Sequence, residues 1–111
     1  MDDQAAQLVP VVVGLPAEID VTNCDQVYEQ LVEAFGPGVE TVIADLTATV
    51  FCDSSGVHAI MHAYESAAAR DVRLRLAVSP ETSVHRVLQL IGVGLVLPVH
   101  PSLQEALDAV V

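Results

Sequence analysis

The chain has 111 residues, about half of them hydrophobic and few aromatic, which predicts a single domain, residues 1–111, with an aliphatic core. Fifteen acidic residues oppose four arginines, and the net charge of −11 argues against direct binding of nucleic acid, which depends on clustered Lys and Arg. Docking on an anionic membrane is disfavoured for the same reason.

Two cysteines, Cys24 and Cys52, are too few for a secreted disulfide scaffold and are not spaced as a Cys-x-x-Cys pair. No hydrophobic run approaches the roughly 18 residues of a membrane-spanning helix, so no membrane insertion is expected. The N-terminal Met1-Asp2-Asp3 is not the basic start of a signal peptide. These features predict a soluble cytoplasmic protein.

The first third of the chain predicts one strand and one helix. The continuous β-branched run from Leu8 to Val13 predicts a strand that is buried on both faces. Thr22, with Asp25 three residues later, predicts the cap of a helix. The helix ends at Gly36-Pro37-Gly38, and its predicted buried face carries Val27, Leu31 and Phe35.

The centre of the chain predicts a buried strand that leads into a second helix. The apolar run from Val39 to Leu46 is the strand, and Asp53, Ser54 and Ser55 supply the side-chain oxygens typical of a helix N-terminus. Helical spacing is kept by Val57, Ile60, Met61, Tyr64 and Ala68. The loop therefore presents two hydroxyls at a helix N-terminus, where an anion such as phosphate is tolerated.

The segment after this helix predicts a strand with one apolar face and then another helix. Residues Val72 to Val78 alternate with a period of two. Ser79-Pro80-Glu81 has the hydroxyl, proline and acid that favour a helix start, and Gly92 ends the helix. Its predicted buried stripe consists of Val84, Val87, Leu88 and Ile91.

The C-terminal segment predicts a short strand, Leu95 to Val99, and an amphipathic helix, Ser102 to Val110. The inward side chains of that helix are Leu103, Ala106, Leu107 and Val110. Strand and helix thus alternate four times along the chain, which predicts an α/β fold with a mainly parallel sheet and right-handed crossovers.

Several motifs resemble those of STAS domains, the family of sulfate transporter and anti-sigma factor antagonist domains. Asp53-Ser54-Ser55-Gly56 resembles the phosphorylation motif of the family, and Glu18-Ile19-Asp20 is similar to the Glu-Leu-Asp signature before its first helix. The resemblance extends over the chain from Leu8 to Val111, through Ser79-Pro80, Gly92 to Leu97 and Ala106-Leu107. It implies one STAS-like domain with a four- or five-stranded, mostly parallel sheet and about four helices.

The resemblance also implies a function. In bacterial anti-sigma factor antagonists the first serine of the motif accepts a phosphate, and here that serine is Ser54. The implied partners are an anti-sigma factor with serine kinase activity and a phosphatase. An alternative within the family is a non-phosphorylated STAS subunit of a transporter, for example a lipid-transport complex; the intact Asp-Ser-Ser-Gly favours the first. Val57 and His58 depart from the Leu and small residue that often follow the motif.

The residues around Ser54 leave structural alternatives open. Ser54 itself is either a helix cap or a phosphate acceptor, Ser55 is expected to be the structural cap, and Gly56 is expected to let another chain approach closely. Asp20 and Asp53 either orient the Ser54 hydroxyl or bond their own backbone as turn residues. The second alternative is favoured for Asp53, whereas both remain open for Asp20.

Sites of other kinds find little support. His58 and His62, with Glu65 on the same face, resemble half of a zinc site but lack the Glu of His-Glu-x-x-His, so a solvated or partner-facing patch is expected and no metal. Cys52 is expected to be a small buried residue, not a nucleophile served by His85 or His100. With no lysine and no phosphate-binding loop, the chain is predicted to be a non-enzyme that needs no cofactor.

Overall fold

Two parallel sheets and four helices make up residues 9–110, the part of the chain that the computed structural model describes. The helices are α1 (Cys24–Glu33), α2 (Ser54–Ala69), α3 (Ser83–Ile91) and α4 (Leu103–Asp108). The strands are β1 (Val11–Gly14), β2 (Glu18–Ile19), β3 (Thr41–Asp45), β4 (Phe51–Cys52), β5 (Arg73–Ala77) and β6 (Val99–His100). A 3₁₀ turn, Val93–Leu95, follows α3.

The main sheet has four parallel strands in the order β1-β3-β5-β6, and β2 pairs with β4 in a separate parallel pair. The parallel α/β architecture predicted from the alternation of elements is confirmed. The sequence did not predict that two of the strands would separate from the main sheet. Helices α1 and α2 cover one face, and the buried positions Val27, Leu31 and Phe35 of the first helical segment are confirmed.

Among the described residues, strand β1 lies at the edge of the main sheet, and the prediction that it is buried on both faces is wrong. Val12 pairs with Ile43 and therefore lies on the same face of the sheet, but Val12 is exposed and Ile43 is buried. The reason is that, within residues 9–110, α4 packs mainly over β3, β5 and β6. Val13 faces the core, and Leu8 lies outside the described residues.

The predicted apolar stripe of α2 is correct at its start and rotated at its end. Val57 and Ile60 are buried, but Met61 and Tyr64 are only partly covered and Ala68 is exposed. The later turns bury Ala63 and Ala67 instead. Because these small side chains leave room, α1 packs closely along α2.

Two predicted helix starts are wrong. Helix α1 begins after Asn23, whose amide donates to the carbonyl of Glu18 at 2.7 Å and so ties the loop to β2, whereas Thr22 bonds Asp20 and does not cap the helix. Helix α3 begins after Thr82, whose hydroxyl accepts from the N–H of His85 at 3.2 Å. The predicted start at Ser79-Pro80-Glu81 instead forms a turn before the helix.

The C-terminal segment differs from its prediction in the position of the strand. Gly92 ends α3 with φ 86°, as predicted, but the chain then forms the 3₁₀ turn, and the strand begins only at Val99. The terminal helix is confirmed: Ser102 caps α4, and Ala106 is buried against the sheet. Of the predicted stripe of α3, Val84 and Leu88 are buried, Val87 is half-buried and Ile91 is exposed. None of the helices within 9–110 has the length and apolarity to cross a membrane.

Candidate partner-binding site around Ser54

The small β2–β4 pair brings two acidic loops together. Ile19 pairs with Cys52, and the N–H of Asp53 donates to the carbonyl of Ile19 at 3.2 Å, which extends the pairing by one residue. Because the two strands are parallel, both end on the same side. Asp20 and Asp53 therefore follow neighbouring strand ends, although they are distant in sequence.

Asp53 is the cap of α2. Its Oδ1 accepts hydrogen bonds from the backbone N–H groups of Ser55, at 2.9 Å, and Gly56, at 3.3 Å. The prediction that Ser55 is the structural cap is therefore wrong: the cap is the last residue with extended backbone, and that residue is Asp53. Asp53 thus bonds its own backbone neighbours, the alternative that the sequence favoured.

Ser54 is the first residue of α2, and it is exposed. Since Asp53 already supplies the oxygen that caps the helix, the Ser54 hydroxyl is not needed for that purpose. The alternative in which Ser54 is merely the helix cap is thereby excluded. What remains is an accessible hydroxyl at the positive end of a sixteen-residue helix.

Gly56 is buried inside the protein against its own strands. A Cβ atom at Gly56 would lie 2.6 Å from the Cys52 Sγ and 2.6 Å from the Ile19 Cγ2. The prediction that Gly56 lets another chain approach is therefore wrong, because this space is filled by β2 and β4. The glycine is required so that α2 can pack directly on the strand pair that holds its cap.

Asp20 is a turn residue bonded to its own segment. Its carboxylate accepts hydrogen bonds from the hydroxyl and the N–H of Thr22, the latter at 2.9 Å. These bonds, the one from the hydroxyl first, hold the pKa of Asp20 below its ordinary value. Asp20 therefore remains an anion that faces solvent beside the Ser54 turn.

A groove of about 440 Å³ runs between α1 and α2 beside the Ser54 turn. Ser55, His58 and His62 line it from α2, while Asp25 and Tyr28 line it from α1. Both histidines are exposed. Within residues 9–110 no three His, Cys, Asp or Glu side chains are grouped closely enough to hold a metal ion. The groove therefore presents ionisable side chains to solvent or to a partner.

Exposed apolar side chains also occur in the two segments that the β2–β4 pair joins, and the sequence did not predict their exposure. Val21 follows Asp20 and is 73% exposed, and Phe51, which belongs to β4, is 46% exposed. Val50, just before it, is exposed as well. A strand of two residues is too short for its alternation to show which side chain points outward. Apolar side chains grouped with polar ones at a surface are typical of protein interaction sites.

Cys52 is buried, as predicted, and its environment opposes nucleophilic chemistry. Burial, together with the charge of Asp53, raises the pKa of the Cys52 thiol to about 11. The thiolate, which is the reactive form, is therefore scarce at neutral pH. Cys24 is half-buried at the start of α1.

Comparison with known proteins agrees with this geometry. The family model described as the STAS domain matches residues 3–106. The anti-sigma-F factor antagonist RsfA of Mycobacterium tuberculosis is 32% identical over 102 residues, which cover 89% of this chain and 78% of RsfA. The family model thus matches most of this chain, and the matched region covers most of this relative.

Solved structures share the fold. The unphosphorylated anti-sigma factor antagonist SpoIIAA superposes with a TM-score of 0.72 at 28% identity, over 91% of this chain and 87% of that one. The structure of SpoIIAA from Bacillus in its phosphorylated form gives 0.65 at the same identity, over 93% and 92%. An anti-sigma factor antagonist from Mycobacterium paratuberculosis gives 0.80 at 24% identity, over 92% and 86%, and this likeness concerns the fold alone.

Proposed function

Since the chain belongs to the STAS domain family, we propose that it is an anti-sigma factor antagonist that phosphorylation of Ser54 switches off. The proposal rests on the different roles of Asp53 and Ser54 at the start of α2. Asp53 caps the helix, so that the neighbouring Ser54 hydroxyl stays exposed and accessible. RsfA and SpoIIAA, both named as antagonists of this kind, support the assignment.

The unmodified surface suits a protein partner. Val21, next to Asp20, and Phe51, in β4, offer exposed apolar side chains, and the α1–α2 groove adds His58 as an adaptable polar contact. An interface of this type gains affinity from buried apolar area and specificity from the polar groups around it. The proposed partner is an anti-sigma factor, which the unmodified chain sequesters.

The modified surface no longer suits that partner. A phosphate on Ser54 adds about −1.5 to −2 charges at pH 7, beside the carboxylates of Asp20 and Asp53. The positive end of the α2 dipole and the absence of acidic residues in its first turn let the domain itself tolerate the anion. The partner must instead desolvate the phosphate or match its charge, so the complex dissociates.

The phosphate comes from another protein. The chain has no lysine and no phosphate-binding loop, and nothing in this proposal requires it to bind ATP. The anti-sigma factor is proposed to have serine kinase activity, and a phosphatase returns the antagonist to its active form. The domain is thus a non-enzymatic regulatory protein of the cytoplasm, where sigma factors act.

The experiment is a phosphorylation assay with the cognate anti-sigma factor and ATP, followed by mass spectrometry of the modified peptide. We expect one phosphate on Ser54 and none in Ser54→Ala. The matched control is Ser55→Ala, which removes the adjacent hydroxyl while Ser54 and the cap Asp53 are kept. Phosphate located on Ser55, or failure of the unmodified chain to bind the anti-sigma factor, would overturn the proposal.

A further inference from the structure

A second exposed apolar surface lies where α3 ends and the 3₁₀ turn begins, and the proposed function does not use it. Leu90 is 81% exposed and Leu95 is 92% exposed, and Ile91 and Val96 are exposed beside them. We call these four side chains the α3-end patch. Four large aliphatic side chains exposed within seven residues mark an interaction surface, because soluble domains rarely leave such groups clustered in water.

The patch includes both a protruding group and a recess. Leu95 is 92% exposed and belongs to the lining of a groove of about 370 Å³; the other lining residues are His85, Leu88, Gln89, Gly92, Gly94 and Val99. A Cβ atom at Gly94 would meet nothing within 4 Å, so the recess is open at that residue. A surface that carries a knob and a matching hole can pack against an identical copy of itself about a two-fold axis.

The distribution of charged residues along the chain indicates which kind of molecule would dock on the α3-end patch. The net charge of the chain is −11, yet no Asp, Glu, Lys or Arg occurs from Val87 through Gln104. The α3-end patch and the segment that contains it therefore contribute no carboxylate of their own to a contact between two copies. The apolar residues near Ser54 differ, because Glu18, Asp20 and Asp53 lie among them. A basic partner, in turn, finds no countercharge in the α3-end patch that would favour it.

We propose that the α3-end patch is a self-association surface, on which a second copy of this chain docks with Leu95 of each copy in the groove of the other. The contact is small and apolar, so the dimer is weak, with a dissociation constant of about 1–100 µM. Its salt dependence follows from the charges. Added salt screens the repulsion between two copies of charge −11 and leaves the apolar contact in place, so the dimer tightens.

The test is sedimentation equilibrium of the full chain from about 1 to 500 µM, at about 0.05 and 0.5 M salt. We expect a monomer–dimer equilibrium that shifts toward dimer at the higher salt concentration. Leu95→Glu should weaken the dimer at least tenfold, and Leu90→Asn, which adds no charge, should weaken it as well. The matched control is Val21→Glu, which changes a 73% exposed aliphatic residue on the other apolar surface.

Each result is decisive, and melting curves verify that each variant is folded. A dimer that Leu95→Glu and Leu90→Asn weaken and Val21→Glu spares supports the proposal. A monomer at every concentration overturns it, and so does a dimer that Leu95→Glu leaves intact. A dimer that loosens as salt is added is held by ion pairs and equally contradicts the apolar interface.

Discussion

Gly56 lies so close to Cys52 that a Cβ on the glycine would be 2.6 Å from the Cys52 Sγ. The first turn of α2, which includes the Ser54 turn, is therefore packed against the strand pair by a contact that only glycine permits. Since the same strand pair positions Asp53, the position of the candidate phosphate acceptor depends on this contact.

Gly56→Ala is expected to destabilise the protein although alanine favours helices. Its methyl group must displace Ile19 or Cys52, and overpacking of this kind costs about 1–3 kcal/mol of unfolding free energy, against about 1 kcal/mol gained in helix propensity. Urea unfolding measures the difference. Gly94→Ala is the control, because open space surrounds Gly94. If Gly56→Ala and the parent chain have the same unfolding free energy, then β2 and β4 accommodate the added methyl group without loss of stability.

Asp53→Ala is expected to lower the unfolding free energy by about 1 kcal/mol, because two N–H groups of α2 lose their acceptor. Thermal unfolding should show a melting temperature lower by about 4–8 °C. Asp53→Ser keeps a capping oxygen and should restore most of the loss. If Asp53→Ser melts as low as Asp53→Ala, the carboxylate acts through its charge and not as a cap.

Ser54→Asp should keep near-normal thermal stability and weaken the complex with the anti-sigma factor. The helix end tolerates the carboxylate, whereas the partner loses contacts and meets added charge, at a cost of about 2–4 kcal/mol, or roughly 30- to 1000-fold in affinity. Melting curves and titration calorimetry measure the two effects separately.

The control for Ser54→Asp is Gln104→Asp, which adds the same charge in the first turn of α4. This variant should bind the anti-sigma factor as the parent does. A much lower melting temperature for Ser54→Asp would indicate a folding defect, and unchanged affinity would remove the switch.

His100 is expected to make stability depend on mild acid. Its Nε2 accepts a hydrogen bond from Arg75 Nη1 at 3.1 Å, and burial, followed by the charge of Arg75, lowers the pKa of His100 below its ordinary value of 6.5, while Glu105 opposes the shift. The folded state therefore disfavours protonation of His100. The unfolding free energy is therefore greatest above about pH 6.5 and falls as the pH drops through the lowered value.

His100→Gln should remove this part of the pH dependence. Urea unfolding at about pH 7.5 and 5.0 measures it, and the lower pH stays above the range in which Asp20, whose pKa is also lowered, takes up its proton. His62→Gln, an exposed histidine, is the control and should keep the dependence of the parent. A loss of stability in acid that persists unchanged in His100→Gln would assign the effect to another group.

Periodicity predicted the elements of the fold better than their limits. The spacing of Val27, Leu31 and Phe35 identified a buried helix face, because a helix that packs on one core buries a single apolar stripe. The start of α3 was misplaced because Ser79 and Thr82 carry similar hydroxyls, and only tertiary packing selects between two such caps.

The sequence predicted the motif at the candidate site, but it did not predict the surface that surrounds the motif. Asp53-Ser54-Ser55-Gly56 located the turn, but the roles of its residues depend on Ile19 and Cys52, which no local pattern connects to it. The exposure of Val12 and Phe51 was unpredictable for a related reason. A continuous apolar run indicates a hydrophobic strand, but whether each face of the strand is covered depends on elements that are distant in sequence.

The hydrogen bond from the N–H of Asp53 to the carbonyl of Ile19 determines at which stage of folding the capped turn forms. The two residues belong to segments separated by α1 and β3, so closing this contact costs chain entropy that only the assembled core offsets. In a nascent or misfolded chain the Asp-Ser-Ser-Gly sequence is present while the capped turn is not. Under the proposed function, a kinase that recognises the capped turn would modify only copies that have completed folding, so that phosphorylation would also report on the integrity of the fold.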